Sequence, residues 1–421
     1  MQTRNPIRII RDAADNVRGN ARACVMFEPL FAIPNTMYAG YMTLFMLELG
    51  MDKSQVGLVT SLGLGVSIFF ALISAYITDR LGRRYATLIF DSISWGASQL
   101  IWMLAQNFWF FVAAAIINAS GRIVTNSWYC LMLEDSEPDT RIHIFNFLQI
   151  AGIAAGFFTP VGALLIGKLT IVPAMRVMML FSNTSMFALF IVRHKMVKET
   201  VIGIKKMEEV KNAGAVNVFR SYIPQLARLL RDKMLIVALF IRSLNFIQLT
   251  IRNTFLAVLV TERLGFAAGA MAVFHTLNAV TMLLILLFIT PALSIVTRHW
   301  PISLGVWFHV AATVILLVAP PTRNYALLIL SAVLVALGTS VATPRIDALA
   351  ANAIVNEDRS VVNAILSVIL LVISTPFGYI GGLLSEIDAR APFLLTLAIF
   401  IACLVLLQAA TRMEKKANLS Q

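Results

Sequence analysis

Charge is what this chain lacks most. Asp, Glu, Lys and Arg make up 13% of 421 residues, against 59% hydrophobic side chains. At a mean hydropathy of +0.81, the apolar content exceeds what a water-soluble core requires. Cysteine is nearly absent: Cys24, Cys130 and Cys403 are too few and too dispersed for a disulfide framework or a metal site, and they read as small buried apolar residues. No Walker lysine motif, zinc-ligand cluster or nucleophile elbow occurs, and Gly63 and Gly65 lie inside an apolar run rather than after a strand. An enzyme and an ATP-driven pump are therefore excluded, no cofactor is expected, and any work must draw on an ion gradient. Asp12 and Asp15 interrupt the basic N-terminal stretch and no small-residue cleavage pattern follows the first apolar run, so that stretch reads as retained rather than as a signal peptide.

Long apolar runs are abundant. Twelve occur, at 24 to 47, 55 to 77, 86 to 105, 108 to 132, 145 to 167, 172 to 192, 235 to 260, 267 to 289, 301 to 319, 325 to 350, 361 to 384 and 391 to 410. Each is near the ~20 residues that cross a hydrocarbon core as a helix, and none alternates as a barrel strand would. Because lipid cannot satisfy backbone polar groups, they read as transmembrane helices. The third run is the weakest, diluted by Asp91, Ser92, Ser94, Ser98 and Gln99.

Lysine and arginine crowd into the N-terminal tail, the turn at Arg80, Arg83 and Arg84, and the middle segment from Arg193 to Lys233. By the positive-inside rule all three lie in the cytoplasm, as do both termini of a multi-pass protein of the cell membrane. The net charge of +12 then meets anionic lipid headgroups, and a nucleic-acid partner is not expected.

Three markers recur at nearly one offset. Leu49-Gly50 is repeated by Leu264-Gly265, Thr159-Pro160-Val161-Gly162 by Thr375-Pro376-Phe377-Gly378, and Arg141 by Arg359, at separations of 215, 216 and 218 residues. A duplicated six-helix unit accounts for this: an N-terminal bundle over 1–192, a basic cytoplasmic linker over 193–233 and a C-terminal bundle over 234–421. Within the linker, "SYIPQLARLLRD" reads as an amphipathic helix on the membrane surface.

Two such bundles around a midplane cavity are the plan of secondary transporters. The turn between the second and third runs, "AYITDRLGRRYATL", resembles the signature turn of the major facilitator superfamily, in which a small residue precedes Asp-Arg-x-Gly-Arg-Arg. Asp79, Arg80, Gly82, Arg83 and Arg84 all match, while Ser74 or Ala75 stands where glycine is most common. The chain thus looks like a bacterial-type twelve-helix permease, an all-α membrane protein of two pseudo-symmetric bundles. Resemblance implies a monomer that carries a small-molecule substrate by alternating access. It also implies that the signature turn is a latch joining helix two to helices four and eleven in the outward-open state. A purely topogenic role for the three arginines is the competing reading.

Ionisable residues inside spans are costly and are functional candidates by default. They are Glu28, Asp91, Arg122, Arg242, Arg252, Arg345 and Asp347. Glu28 lies beside Pro29, and Arg122 midway along the fourth run. Several proton/sugar symporters of the superfamily resemble this arrangement of a helix-one carboxylate facing a helix-four arginine, so Glu28 and Arg122 are expected to couple protons to transport; a static pair is the alternative. Asp91 is expected to brace the signature turn, and Arg345 and Asp347 to pair with other helices. On the seventh run Arg242, Asn245, Gln248 and Arg252 share a face. With Arg122 they make a basic cavity, to which Asn35, Tyr38, Tyr41, Asn118, Asn126, Trp128, His275, Asn278 and Tyr379 add polar and aromatic surface. For each asparagine, interhelical packing is equally open. The lining suits a sugar, glycoside or organic anion. Gly152, Gly156, Pro160 and Gly162 on the fifth run loosely resemble the glycine/proline motif of drug/proton antiporters, with three residues inserted before the proline. Efflux of amphipathic compounds is therefore the alternative function.

Overall fold

Apolar periods this long fold as helices, and among the described residues every element is helical. The computed structural model describes residues 17–211, 233–289, 300–352 and 359–419. Arg4, Arg8 and Arg11, the stretch from Ser221 to Asp232 and the turn at 290–299 lie outside them.

Among the described residues, ten helices are long and apolar enough to cross a membrane. They are spans two (Lys53–Leu81), four (Phe108–Leu133), five (His143–Leu169), six (Ile171–Met196), seven (Leu235–Arg263), eight (Ala270–Phe288), nine (Trp300–Val318), ten (Tyr325–Ile346), eleven (Ile365–Ile387) and twelve (Ala391–Thr411). Spans one and three complete an arrangement compatible with the twelve apolar runs, and both are interrupted for visible reasons.

Span one is three short helices, Gly19–Met26, Pro29–Ala39 and Met42–Glu48. Pro29 has no N–H to continue the first helix and instead begins the second. Glu28 is thereby left at the joint, its backbone carbonyl accepting from Phe31 and Ala32 at 3.0 and 2.9 Å. Span three runs as α-helix over Arg83–Asp91, π-helix over Ser92–Ala97 and α-helix over Ser98–Met103. Serines that dilute its hydropathy bond back onto the helix: Ser92 Oγ donates to the Leu88 carbonyl at 2.8 Å, and Ser98 Oγ to that of Ser94. Two carbonyls of the π-turn are taken up by neighbouring spans, Ser94 by Asn118 Nδ2 at 2.7 Å and Gly96 by Asn183 Nδ2 at 2.9 Å. The polar residues of this run therefore define a π-turn, the irregular element most often retained at functional sites.

Gly50 and Gly265, partners in the sequence repeat, both adopt positive φ, +82° and +71°, a backbone that favours glycine. The first helix of each half thus ends in the same kind of turn.

Polar contacts between the halves gather at one end. Lys53 Nζ meets Glu262 Oε2 at 2.5 Å, Ser54 N–H donates to Glu386 Oε1 at 3.0 Å, and Thr43 Oγ1 donates to the Thr254 carbonyl at 2.6 Å. One turn deeper, Ser61 Oγ donates to the Thr375 carbonyl at 2.5 Å and accepts from Tyr379 N–H at 2.7 Å. Backbones touch here, because Gly57 faces Gly378 and Gly382. The seam between spans five and eight is likewise closed at this end, where Gly269 faces Ala163, and in the middle, where Gly156 faces Ala279. By Gly152 nothing lies within contact of the backbone, and the seam widens into a cavity of about 380 Å³. Among the described residues, the polar contacts between the halves lie at the Lys53 end, and the seam between spans five and eight widens away from it toward Gly152.

Candidate functional site

A cavity of about 610 Å³ lies inside the N-terminal bundle between spans one, two, three, four and six. The break in span one turns Glu28 toward it, and Arg122 reaches it from the middle of span four, at the start of the helix Gly121–Leu133. Asp91, Asn118 and Trp128 line it as well, with an aromatic wall of Phe31, Trp95, Trp102 and Phe190. Phe31 and Trp95 meet edge to face at 4.9 Å.

Two arginines and two carboxylates share this space, in an arrangement the spacing alone does not give. Asp91 does not brace the signature turn; it pairs with Arg193 of span six, both side chains being more than nine-tenths buried. Arg193 and Asp91 are also the charges that act on Glu28. Glu28 and Arg122 line one cavity but form no ion pair, and among the described residues neither has a side-chain hydrogen-bond partner. Arg193 lies in the linker by the sequence reading. Span six continues to Met196, which places it inside the helix, and the signal available was an arginine just past an apolar run with a carboxylate at the matching depth of span three.

Other expected lining residues scatter. Asn118 holds the π-turn as well as lining the cavity. Asn126 Nδ2 donates to Thr78 Oγ1 at 3.2 Å and ties spans two and four. Tyr38 is buried beside Ser182 of span six, Tyr41 is fully buried, and Asn35 lines none of the three cavities described here. The Trp128 indole N–H lies beside the Cys24 thiol without reaching hydrogen-bond geometry. On span seven the polar face divides: Gln248 is buried and donates to Asn245 Oδ1 at 3.1 Å, while Arg252 and His275 line a separate cavity of about 170 Å³ between spans seven, eight and ten. Arg242, Asn245 and Gln248 line neither it nor the large cavity. Tyr379 contributes its backbone to the seam with span two. Arg345 Nη1 bonds to its own helix at the Val341 carbonyl, 3.0 Å away, and the Asp347 side chain lies outside the described residues.

The signature turn is a dense charged node. Arg83, 4% exposed, bonds to Asp79 Oδ1 at 2.8 Å and to both oxygens of Glu134, at the end of span four, at 2.9 to 3.1 Å. Glu199, just beyond span six, accepts the backbone N–H groups of Arg83 and Arg84, each at 2.9 Å. It thus caps the N-terminus of span three, where free N–H groups and the helix dipole favour a carboxylate. Thr200 Oγ1 donates to Glu134 Oε2 at 2.5 Å, and Arg84 Nη2 to the His194 carbonyl at 2.9 Å. Arg80 reaches Tyr76. These bonds join spans two, three and four to the segment that leads into the helix Val201–Lys211; the side chains at 361–364 of span eleven lie outside those described.

Gly82 is the hinge of that node. Its φ of +80° and ψ of 157° fall in a region open essentially to glycine, and a Cβ there would lie 2.6 Å from Glu199 Oε2 and 2.8 Å from Met207 Sδ. Gly82→Ala is expected to cost about 1–3 kcal/mol, read as a lowered Tm of the purified protein. An unchanged Tm would mean that the cap is not what holds this turn.

A family model described as Major Facilitator Superfamily matches residues 30–251. Among solved structures, the nucleoside transporter NupG superposes with a TM-score of 0.69 at 14% identity, covering 94% of this chain and 100% of that one. A POT family transporter in complex with a thioalcohol-conjugated peptide gives 0.69 at 12%, covering 96% and 99%. The human organic anion transporter MFSD10 (TETRAN) gives 0.59 at 14%, again covering 96% and 99%. At these identities the likeness is one of fold. No curated protein sequence matches the chain.

Proposed function

Since the chain belongs to the major facilitator superfamily and is a secondary transporter of the membrane, we propose that its solute is a small organic anion, carried by alternating access and coupled to protons at Glu28. One observation carries the substrate class: Arg122 faces a 610 Å³ cavity with no ion pair and no hydrogen-bond partner among the described residues. A guanidinium held in such a site stabilises an incoming carboxylate by a charge-assisted, two-pronged bond, and the aromatic wall suits a planar body. A sugar or glycoside would leave Arg122 with no direct ion-pair partner, since Glu28 lines the cavity without reaching it. That MFSD10 is an organic anion transporter accords with this reading without extending beyond the fold.

In this reading the packed Lys53 end faces outward, both termini are cytoplasmic, and the structure is an inward-facing state of a cell-membrane transporter. The two bundles are 1–196 and 234–421, the first extended to the end of span six, with 197–233 as linker. The signature turn serves as the gate element, its residues held within the N-terminal half in this state and available to span eleven in the other.

The same aromatic wall of Phe31, Trp95, Trp102 and Phe190 favours efflux of amphipathic compounds as the second reading. Thermal shift separates the two, because a ligand that binds the native state at about 100 times its Kd adds ~2.7 kcal/mol of stability. Benzoate is expected to raise the Tm of the purified protein and Arg122→Gln to abolish that rise. Stabilisation by lipophilic cations or by sugars, with none by benzoate, overturns the organic-anion assignment.

A further inference from the structure

The C-terminal half holds its own arginine problem. From Lys233 to Ile346 the sequence contains a single acidic residue, Glu262, and that carboxylate is bound to Lys53 at the packed end. Arg252 lies in the same half, on span seven, and forms no ion pair among the described residues. It is part-buried, with its exposed surface open to the 170 Å³ cavity. Its one hydrogen-bonding contact among the described residues is His309 Nδ1 at 3.3 Å. Arginine only donates, so this nitrogen must accept, which fixes His309 as the neutral Nε2–H tautomer. His309 therefore brings no countercharge; it stacks flat on Phe400, 5.3 Å between centroids and 3° between planes, and holds the guanidinium in place.

The rest of the cavity supplies donors. Asn253 and Thr339 line it, and neither side chain has a hydrogen-bond partner among the described residues. His275 and Asn278 form the wall shared with the neighbouring 380 Å³ cavity, and Met271 and Phe274 close the apolar side. A part-buried cation with no countercharge beside it gains from a bound anion, because attraction between charges is stronger where water is partly excluded. At 170 Å³ the space is well below the ~300 Å³ lower bound of ordinary small-molecule pockets, a size that suits a compact anion.

We propose that Arg252, Asn253 and Thr339 form a second anion site, distinct from the Arg122 cavity, which takes a free compact oxyanion of the phosphate type. Arg252 supplies the charge, the asparagine amide and threonine hydroxyl supply two further donors, and His309 positions the guanidinium.

Calorimetric titration of the purified full chain with inorganic phosphate, at constant ionic strength set with chloride, tests this. Phosphate is expected to bind the native protein, to bind about tenfold or more weakly to Arg252→Gln, and to bind Arg252→Lys with intermediate affinity, since lysine keeps the charge but not the fork. Its affinity should be unchanged by saturating benzoate and by Arg122→Gln. Thr339→Val, which removes one donor and preserves shape, gives a second reading of the site should Arg252→Gln not fold; it should weaken phosphate alone. The site is overturned if native protein shows no phosphate binding, if Arg252→Lys and Thr339→Val bind phosphate as tightly as native protein, or if benzoate displaces phosphate competitively. Binding of phosphate through Arg252 with no binding of benzoate would retain this site and refute the organic-anion reading instead.

Discussion

Glu28→Gln is expected to abolish concentrative uptake while leaving exchange of solute across the membrane intact. In a one-to-one symporter each pH unit supplies ~1.4 kcal/mol, about a tenfold solute ratio. Proteoliposomes of the native chain should therefore accumulate benzenesulfonate, an aromatic anion that stays ionised and does not cross lipid unaided, about tenfold further per unit of imposed gradient, and Glu28→Gln vesicles should equilibrate and stop. Glu28 is assigned this role over Asp91 because their surroundings differ. Asp91 is committed to Arg193 in a buried pair, and removing it strands a buried cation at a cost of about 3–5 kcal/mol. Glu28 has no hydrogen bond to lose, sits at a proline joint where span one is already broken, and shares the cavity with Arg122. A proton on Glu28 and a carboxylate on Arg122 keep the cavity near electroneutrality together, which is the physical basis of coupling. Asp91→Asn should accordingly lower Tm sharply, whereas Glu28→Gln should not. If Glu28→Gln vesicles still follow the pH gradient, coupling resides elsewhere.

What could be read from the sequence was set by signals that are local. Hydropathy length gives spans, and the Asp79 to Arg84 spacing gives the turn, because helix periodicity and turn chemistry are written in neighbouring residues. Glu28 and Arg122 were legible as charges in apolar runs, and both line the large cavity. The ion pair that shares this cavity with them was not legible. Arg193 counts as a linker charge until span six is seen to extend to Met196, and its pairing with Asp91 depends on how spans three and six pack, which no spacing encodes. The stripe Arg242, Asn245, Gln248 and Arg252 shares a face by helical geometry, yet only Arg252 reaches a cavity, since Gln248 turns to Asn245. Asn118 and Asn126 illustrate the same limit: an asparagine in a span serves packing or solute, and the neighbour decides. In the third span the weak hydropathy was itself the message, because its serines and the asparagines around them build and satisfy the π-turn.

Gly57→Leu is expected to cut transport roughly 5- to 150-fold by disfavouring the state described here. The contact between spans two and eleven is backbone on backbone: a Cβ at Gly57 would stand 2.9 Å from Gly382 Cα and 3.0 Å from Gly382 N, atoms that cannot rotate away. A leucine must therefore push the helices apart, with Ser61, Thr375 and Tyr379 losing their bonds one turn below. Overpacking of this kind costs about 1–3 kcal/mol. Confined to one conformation, that penalty shifts a two-state equilibrium by roughly 5- to 150-fold. The penalty is conformation-specific only if the Lys53 end separates during the cycle, and that makes the result diagnostic. With Cys24, Cys130 and Cys403 replaced, a cysteine at Ser54 should react slowly with a membrane-impermeant thiol reagent in otherwise native protein, because Ser54 packs against Glu386. Adding Gly57→Leu should accelerate that labelling by a factor similar to the loss of transport. If Tm falls while labelling stays slow, the seam is a permanent joint between the halves, and alternating access must open the molecule somewhere else.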